Sequence, residues 1–112
     1  MKLFAALKHI RDYERSQLPF LKSIIDFDIV VEIGYAEENG QPLTQKQVLL
    51  LNLSSRTTVR RRLARLIEKG TIRRRRNKKD KRSSILTVSP TGMKLFGKYG
   101  GLLTATFAAI TA

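Results

Sequence analysis

A chain of 112 residues with 22 Lys or Arg against nine Asp or Glu has the length of one domain, and its net +13 implies a polyanionic partner, an acidic membrane surface or unusual solubility demands. It has no cysteine, which excludes disulfides, thiolate metal sites and thiol redox sensing. No stretch approaches the roughly 20 apolar residues that a membrane-spanning helix requires, and the single histidine, His9, reads as a solvated or core residue rather than a ligand or base.

The first element is an amphipathic helix over residues 3–17, with Leu3, Leu7, Ile10 and Glu14 on one side. Its opening has only a brief apolar run before the sequence turns charged, unlike a signal peptide, so a cytoplasmic protein is expected. Pro19 separates this helix from the next segment. Residues 23–39 fit two periods. Phe27, Ile29, Val31, Ile33 and Tyr35 alternate as in a strand, whereas Ile24, Phe27, Val31 and Tyr35 trace a helical face. The length favours a helix, stopped at Asn39-Gly40, and its apolar residues on more than one face predict burial on two sides.

Gln41-Pro42-Leu43 reads as a short connection. Thr44 followed by Gln47 forms a capping-box pattern for a short helix over residues 45–51, with Val48 and Leu51 inward. Asn52-Leu53-Ser54 is a tight turn. Ser54 or Ser55 then caps a helix that runs to Lys69 and closes at Gly70. Val59, Leu63, Leu66 and Ile67 make its apolar stripe, and Arg56, Arg60, Arg61 and Arg65 lie away from it. Residues 71–77 and 84–88 suit two strands, with the polar residues 78–82 as the hairpin tip. Ser89-Pro90 opens a last helix whose apolar residues are Met93, Leu95, Phe96, Tyr99, Leu102 and Leu103. Gly97, Gly100 and Gly101 weaken it and predict a kink, fraying or a close helix contact.

The charge is local. Residues 56–82 hold 14 Lys or Arg and only Glu68 and Asp80 as acids, a net +12, which leaves +1 for all the rest. A run of like charge is often a disordered tail, but this one sits between two apolar-patterned segments, as a basic loop on a folded frame would. The element order is helix, helix, short helix, turn, basic helix, basic hairpin, helix. That order predicts a mainly α protein with a small β-hairpin, an α+β winged helix-turn-helix. It forms a single domain over residues 1–112: a helical N-terminal region (1–39), the helix-turn-helix (44–70), the wing (71–88) and a C-terminal helix (89–112).

In such a fold the second helix of the helix-turn-helix lies in the major groove of double-stranded DNA. Ser55, Thr57 and Thr58 are short enough to approach bases or phosphates, though helix capping explains the hydroxyl cluster equally well. Arg56, Arg60, Arg61 and Arg65 can reach guanine edges or phosphates. Arg62 points further round the helix. From the hairpin come Arg76, Lys79, Lys81 and Arg82, with strand alternation turning only half of residues 73–76 toward any one partner. Asp80 is either an ordinary turn acid or a brace that fixes the wing through a nearby arginine.

The residues Leu63-Ala64-Arg65-Leu66-Ile67-Glu68-Lys69-Gly70-Thr71-Ile72, then Asp80-Lys81-Arg82, then Leu86-Thr87-Val88-Ser89-Pro90-Thr91-Gly92 resemble the MarR family of winged-helix regulators. The resemblance covers residues 43–92. It implies a homodimer on a pseudo-palindromic operator, with Arg82 as the minor-groove arginine and Asp80 as its brace. The chain departs from the family in three ways. It is expected to lack the long terminal helices that usually build the dimer interface. Residues 54–58 run one residue longer than the common pattern. It shows neither a sensor cysteine nor an evident ligand pocket, so no small-molecule effector is assigned.

Catalysis is not expected: there are no paired carboxylates in an apolar setting and no Gly-rich phosphate loop, and Asp26 and Asp28 point to different helix faces. No cofactor or metal is expected either. An RNA- or ribosome-associated basic protein is the main alternative, but residues 56–82 contain no Phe, Tyr, Trp or His on which single-stranded bases could stack. A winged-helix interaction module of a replication or conjugation complex is a third possibility, marked by weak, sequence-indifferent DNA affinity. The favoured reading is a sequence-specific transcriptional regulator, cytoplasmic and nucleoid-associated.

Overall fold

Hydroxyl side chains begin four of the five helices in the computed structural model, which describes residues 2–18, 21, 23–80 and 82–111. The order is α1 (Leu3–Gln17), α2 (Ile24–Glu38), α3 (Gln45–Leu50), α4 (Arg56–Glu68), β1 (Ile72–Arg76), β2 (Ser84–Val88) and α5 (Pro90–Thr111). Ser23 Oγ accepts the Asp26 N–H, Ser55 Oγ the Thr58 N–H, and Ser89 Oγ the Gly92 N–H. Thr44 and Gln47 exchange side-chain and backbone bonds at 3.2 and 2.8 Å in a complete capping box. Each bond satisfies a backbone donor that the helix itself leaves unpaired. Pro19 lies outside the described residues.

Helix α4 ends as its glycine predicts. Gly70 has φ +80°, its N–H bonds to Ile67 O, and the Thr71 N–H reaches back to Leu66 O at 3.0 Å. This Schellman closure turns the chain straight into β1. Asn52, at φ +57°, makes the turn between α3 and α4 in a conformation that asparagine tolerates better than most residues.

The chain forms two compact units, residues 21–92 on one hand and residues 1–20 with 93–112 on the other. In the first, Ile29, Val30 and Ile33 of α2, Val48 of α3, Val59, Leu63 and Leu66 of α4, and Ile72, Leu86 and Val88 of the hairpin are buried. Strands β1 and β2 pair antiparallel, Ile72 opposite Val88, Arg74 opposite Leu86 and Arg76 opposite Ser84. The connection before α3 adds to the other edge of β2. The Leu86 N–H donates to Leu43 O at 2.8 Å, and Thr44 bridges Ile85. Further along the same edge the Glu37 carboxylate accepts the Val88 N–H at 3.1 Å. The outer edge of β2 is thereby paired, as a buried edge must be.

In the second unit Tyr99 of α5 stacks on Tyr13 of α1, ring centroids 6.0 Å apart, and its hydroxyl donates to Glu14. Arg11 holds Glu14 from the other side at 2.9 Å. Burial, reinforced by that hydrogen bond, pushes the Tyr99 phenol well above its ordinary pKa. The hydroxyl therefore stays a donor throughout the physiological range.

The structure corrects four expectations. Helix α2 is fully buried along one side, where Asp26, Ile29, Val30 and Ile33 face inward; of the predicted apolar face Phe27 is half-buried while Ile24, Val31 and Tyr35 are exposed. Leu51 is 40% exposed, because α3 stops at Leu50 and the turn carries Leu51 away from the core. The C-terminal segment is one continuous helix of 22 residues, so a long terminal helix is present after all. A Cβ added at Gly97, Gly100 or Gly101 would meet nothing within 4 Å, so these glycines mark no close contact. Their propensity cost of about 1 kcal/mol each is small enough for tertiary packing to override.

Gly92 is the glycine whose missing side chain matters. A Cβ there would stand 2.9 Å from Val88 Cγ1 and 3.0 Å from the Thr71 carbonyl oxygen, and the latter cannot swing aside. Gly92→Ala is expected to destabilise the protein by about 1–3 kcal/mol through overpacking. Urea unfolding measures it; an unchanged midpoint would contradict the tight fit.

Candidate nucleic-acid interface

Helix α4 is attached by one stripe and offers the rest of its surface to solvent. Val59, Leu63 and Leu66 are buried at 0–1% exposure, each contributing about 1.5–3 kcal/mol of attachment. Ile67, the fourth member of the stripe, is half-buried. Away from it Arg56, Thr57, Arg60 and Arg61 are exposed, and Arg65 is half-buried. Ser55 is the N-cap. Its Oγ accepts the Thr58 N–H at 3.2 Å and donates to Thr58 Oγ1 at 2.9 Å, so both hydroxyls are engaged in starting the helix. Ser55 nonetheless remains exposed.

Arg62 does something else. It turns toward the body of the domain, where its Nη1 lies 3.5 Å from Oδ2 of Asp26, a residue of α2 only 1% exposed. The side chain of Arg62 itself is 24% exposed. The pair ties the basic helix to α2 beside the apolar stripe. The signal in the sequence was Arg62 lying next to the stripe; its partner could not be found by spacing.

The hairpin tip is built around Asp80. Its Oδ1 accepts the Arg82 backbone N–H at 3.0 Å, as a turn aspartate does, and lies 3.5 Å from Arg82 Nε, so the turn bond and the contact with the arginine occur together. The Asp80 carbonyl accepts the Ser83 N–H at 3.1 Å, and Asn77 bonds to Ser83 Oγ and to the Lys79 N–H. These short-range bonds shape the tip while Arg82 stays 94% exposed. Arg76 and Lys79 are exposed too, and Lys81 lies outside the described residues. On β1, Arg74 and Arg76 share the side of Ile72, with Arg73 and Arg75 on the other; all four are exposed. Arg74 is held by the side chain of Gln45 on α3 at 3.0 Å, an arrangement the sequence does not announce.

The described residues of this unit thus carry two cationic projections, the exposed side of α4 and the hairpin tip. Among the described residues no group of three or more His, Cys, Asp or Glu could hold a metal ion, and no helix is long and apolar enough to cross a membrane.

A sequence model described as the MarR family matches residues 22–83. No curated protein matches the chain. Among solved structures, the transcriptional regulator Tm0710 from Thermotoga maritima superposes with a TM-score of 0.72 at 23% identity, over 96% of this chain and 71% of that one. The S. aureus MepR–DNA complex gives a TM-score of 0.68 at 18% identity, over 91% of this chain and 82% of the other. A mutant MarR from E. coli complexed with operator DNA gives 0.61 at 17% identity, over 96% and 76%.

Proposed function

The chain belongs to the MarR family, and from that premise we propose that it is a transcriptional regulator binding double-stranded DNA sequence-specifically, with α4 in the major groove and Arg82 in the minor groove. The observation that carries this reading is the double projection within residues 21–92: an exposed arginine face on a helix held by Val59, Leu63 and Leu66, and a hairpin whose Asp80 orients an exposed Arg82. Arg56, Thr57, Arg60 and Arg61 reach bases, where an arginine reads guanine bidentately. Ser55, Thr58, Arg65, Arg76, Lys79 and Lys81 serve the backbone and the placement of the helix. Arg82 enters a narrow A·T-rich minor groove, where negative potential is strongest. Its role is recognition, not catalysis, and it acts on nucleoid DNA in the cytoplasm.

The working form is a homodimer. Leu3, Phe4 and Leu7 of α1 and Leu103, Phe107 and Ile110 of α5 are exposed. Ile10, Leu103, Phe107 and Ile110 line an open apolar cleft of about 450 Å³ in the same unit. A second copy of this face supplies the cover, and the resulting two-fold axis presents two α4 helices to two half-sites.

Selection from random duplex DNA tests the reading. A pseudo-palindromic consensus is expected at physiological salt, and Arg82→Ala should lose preference at A·T-rich positions while keeping the rest. Recovery of no consensus would overturn sequence-specific regulation.

A further inference from the structure

A third cationic feature adjoins the hairpin tip on its α3 side. A cleft of about 370 Å³ opens where α3 meets the wing, lined by Thr44, Gln45, Lys46, Arg74, Ser83 and Ser84. Its walls are fixed by backbone pairing, since Leu43 and Thr44 add to the edge of β2 and bring the start of α3 beside the hairpin. None of these six residues carries a carboxylate. Arg74 projects from the Ile72 side of β1, and one Nη2 donor is spent on Gln45 Oε1 at 3.0 Å.

The identity of that acceptor is informative. Arg11, Arg62 and Arg82 are each oriented by a carboxylate, Glu14, Asp26 and Asp80 respectively, which offsets their charge. Arg74 is oriented by a neutral amide and keeps its full charge. A guanidinium has five N–H donors, so the bond to Gln45 leaves four for a ligand. Lys46 is exposed on the same wall and Ser84 adds an exposed hydroxyl. Thr44 and Ser83 are committed to the capping box and the tip, so they shape the cleft rather than bind in it.

We propose that this cleft is a phosphate site, seating a phosphodiester of the DNA backbone between Arg74, Lys46 and Ser84. A pre-oriented guanidinium with free donors, a second cation and a hydroxyl match the tetrahedral oxyanion in charge and hydrogen bonding. The site rests on the DNA-binding reading for its ligand. It carries no sequence information, because backbone contacts position a protein without reading bases.

The test uses the full chain and its selected duplex together with a scrambled one. Arg74→Gln and Lys46→Gln should each lower affinity about tenfold on both duplexes. Each should also reduce the slope of log K against log salt by about 0.9, the signature of one lost phosphate contact. Arg74→Lys should recover some of the affinity and all of the slope. An unchanged slope, or a loss confined to one sequence, would overturn the proposal. Inorganic phosphate separates the two readings. Should the wild type bind no duplex while millimolar phosphate shifts the amide resonances of residues 44–46 and 84, the site stands as one for free phosphate and the DNA reading fails. Absence of both the shifts and the slope change removes the site itself.

Discussion

Arg62→Met is expected to destabilise the protein by about 3 kcal/mol, because it withdraws the cation facing a carboxylate buried in the domain. Asp26 is 1% exposed and Arg62 lies 3.5 Å away, so removing the arginine takes from a buried carboxylate a cationic partner that water is poorly placed to replace. A loss of that size lowers Tm by more than about 10 °C in a domain of this length. Asp26→Asn should cost less, since the Arg62 side chain is 24% exposed and can turn outward to water. The double variant Asp26→Leu with Arg62→Met should recover most of the stability, as buried ion pairs replaced by apolar residues commonly do. Thermal unfolding of the wild type, Arg62→Met, Asp26→Leu and the double variant completes a double-mutant cycle. Additive effects in the double variant would show that the two residues do not act as a pair. On DNA, a folded Arg62 variant should keep the wild-type salt dependence, in contrast to the exposed Arg61.

Phe107→Glu is expected to turn the proposed dimer into a monomer at micromolar concentration and to weaken operator binding by about a hundredfold or more, by losing the second half-site as an intramolecular contact. Phe107 is 68% exposed, so the substitution removes little from the core of a single copy and the protein should fold normally. Introducing a glutamate on each copy places like charges and a desolvation cost in the shared face. Light scattering reads the mass with and without duplex, and a titration of operator DNA reads the affinity. A wild-type protein that is monomeric both free and on DNA would remove the dimer. A variant that keeps the dimer mass would move the interface elsewhere.

These two experiments probe features that differ in how far a linear sequence exposes them. The order of elements, the capping residues Ser23, Thr44, Ser55 and Ser89, the Gly70 closure and the apolar stripe of α4 all depend on residues within one or two turns of each other. They are visible as local patterns. The two apolar periods of residues 23–39 were harder, because a helix and a strand both satisfied them. Even after length decided for a helix, periodicity could not say which apolar side would find a partner. Ile29 and Ile33 did; Val31 and Tyr35 did not. At the C terminus the three glycines suggested interruption, yet α5 runs through them.

The concentration of charge in residues 56–82, its division between a helix and a hairpin, and the Asp80–Arg82 turn contact were determined by the sequence itself. Each rests on short-range geometry: helical spacing, strand spacing, or a side chain reaching two residues along its own turn. Which arginine does which work was decided only by the tertiary structure. Arg62 is drawn in by a carboxylate on another helix. Arg74 is set by an amide 29 residues away, and the outer edge of β2 is completed by Leu43 and by Glu37, the latter 51 residues from its partner. Such partners meet only when packing of the apolar core fixes the rotation and offset of whole elements, and no local periodicity encodes those two quantities.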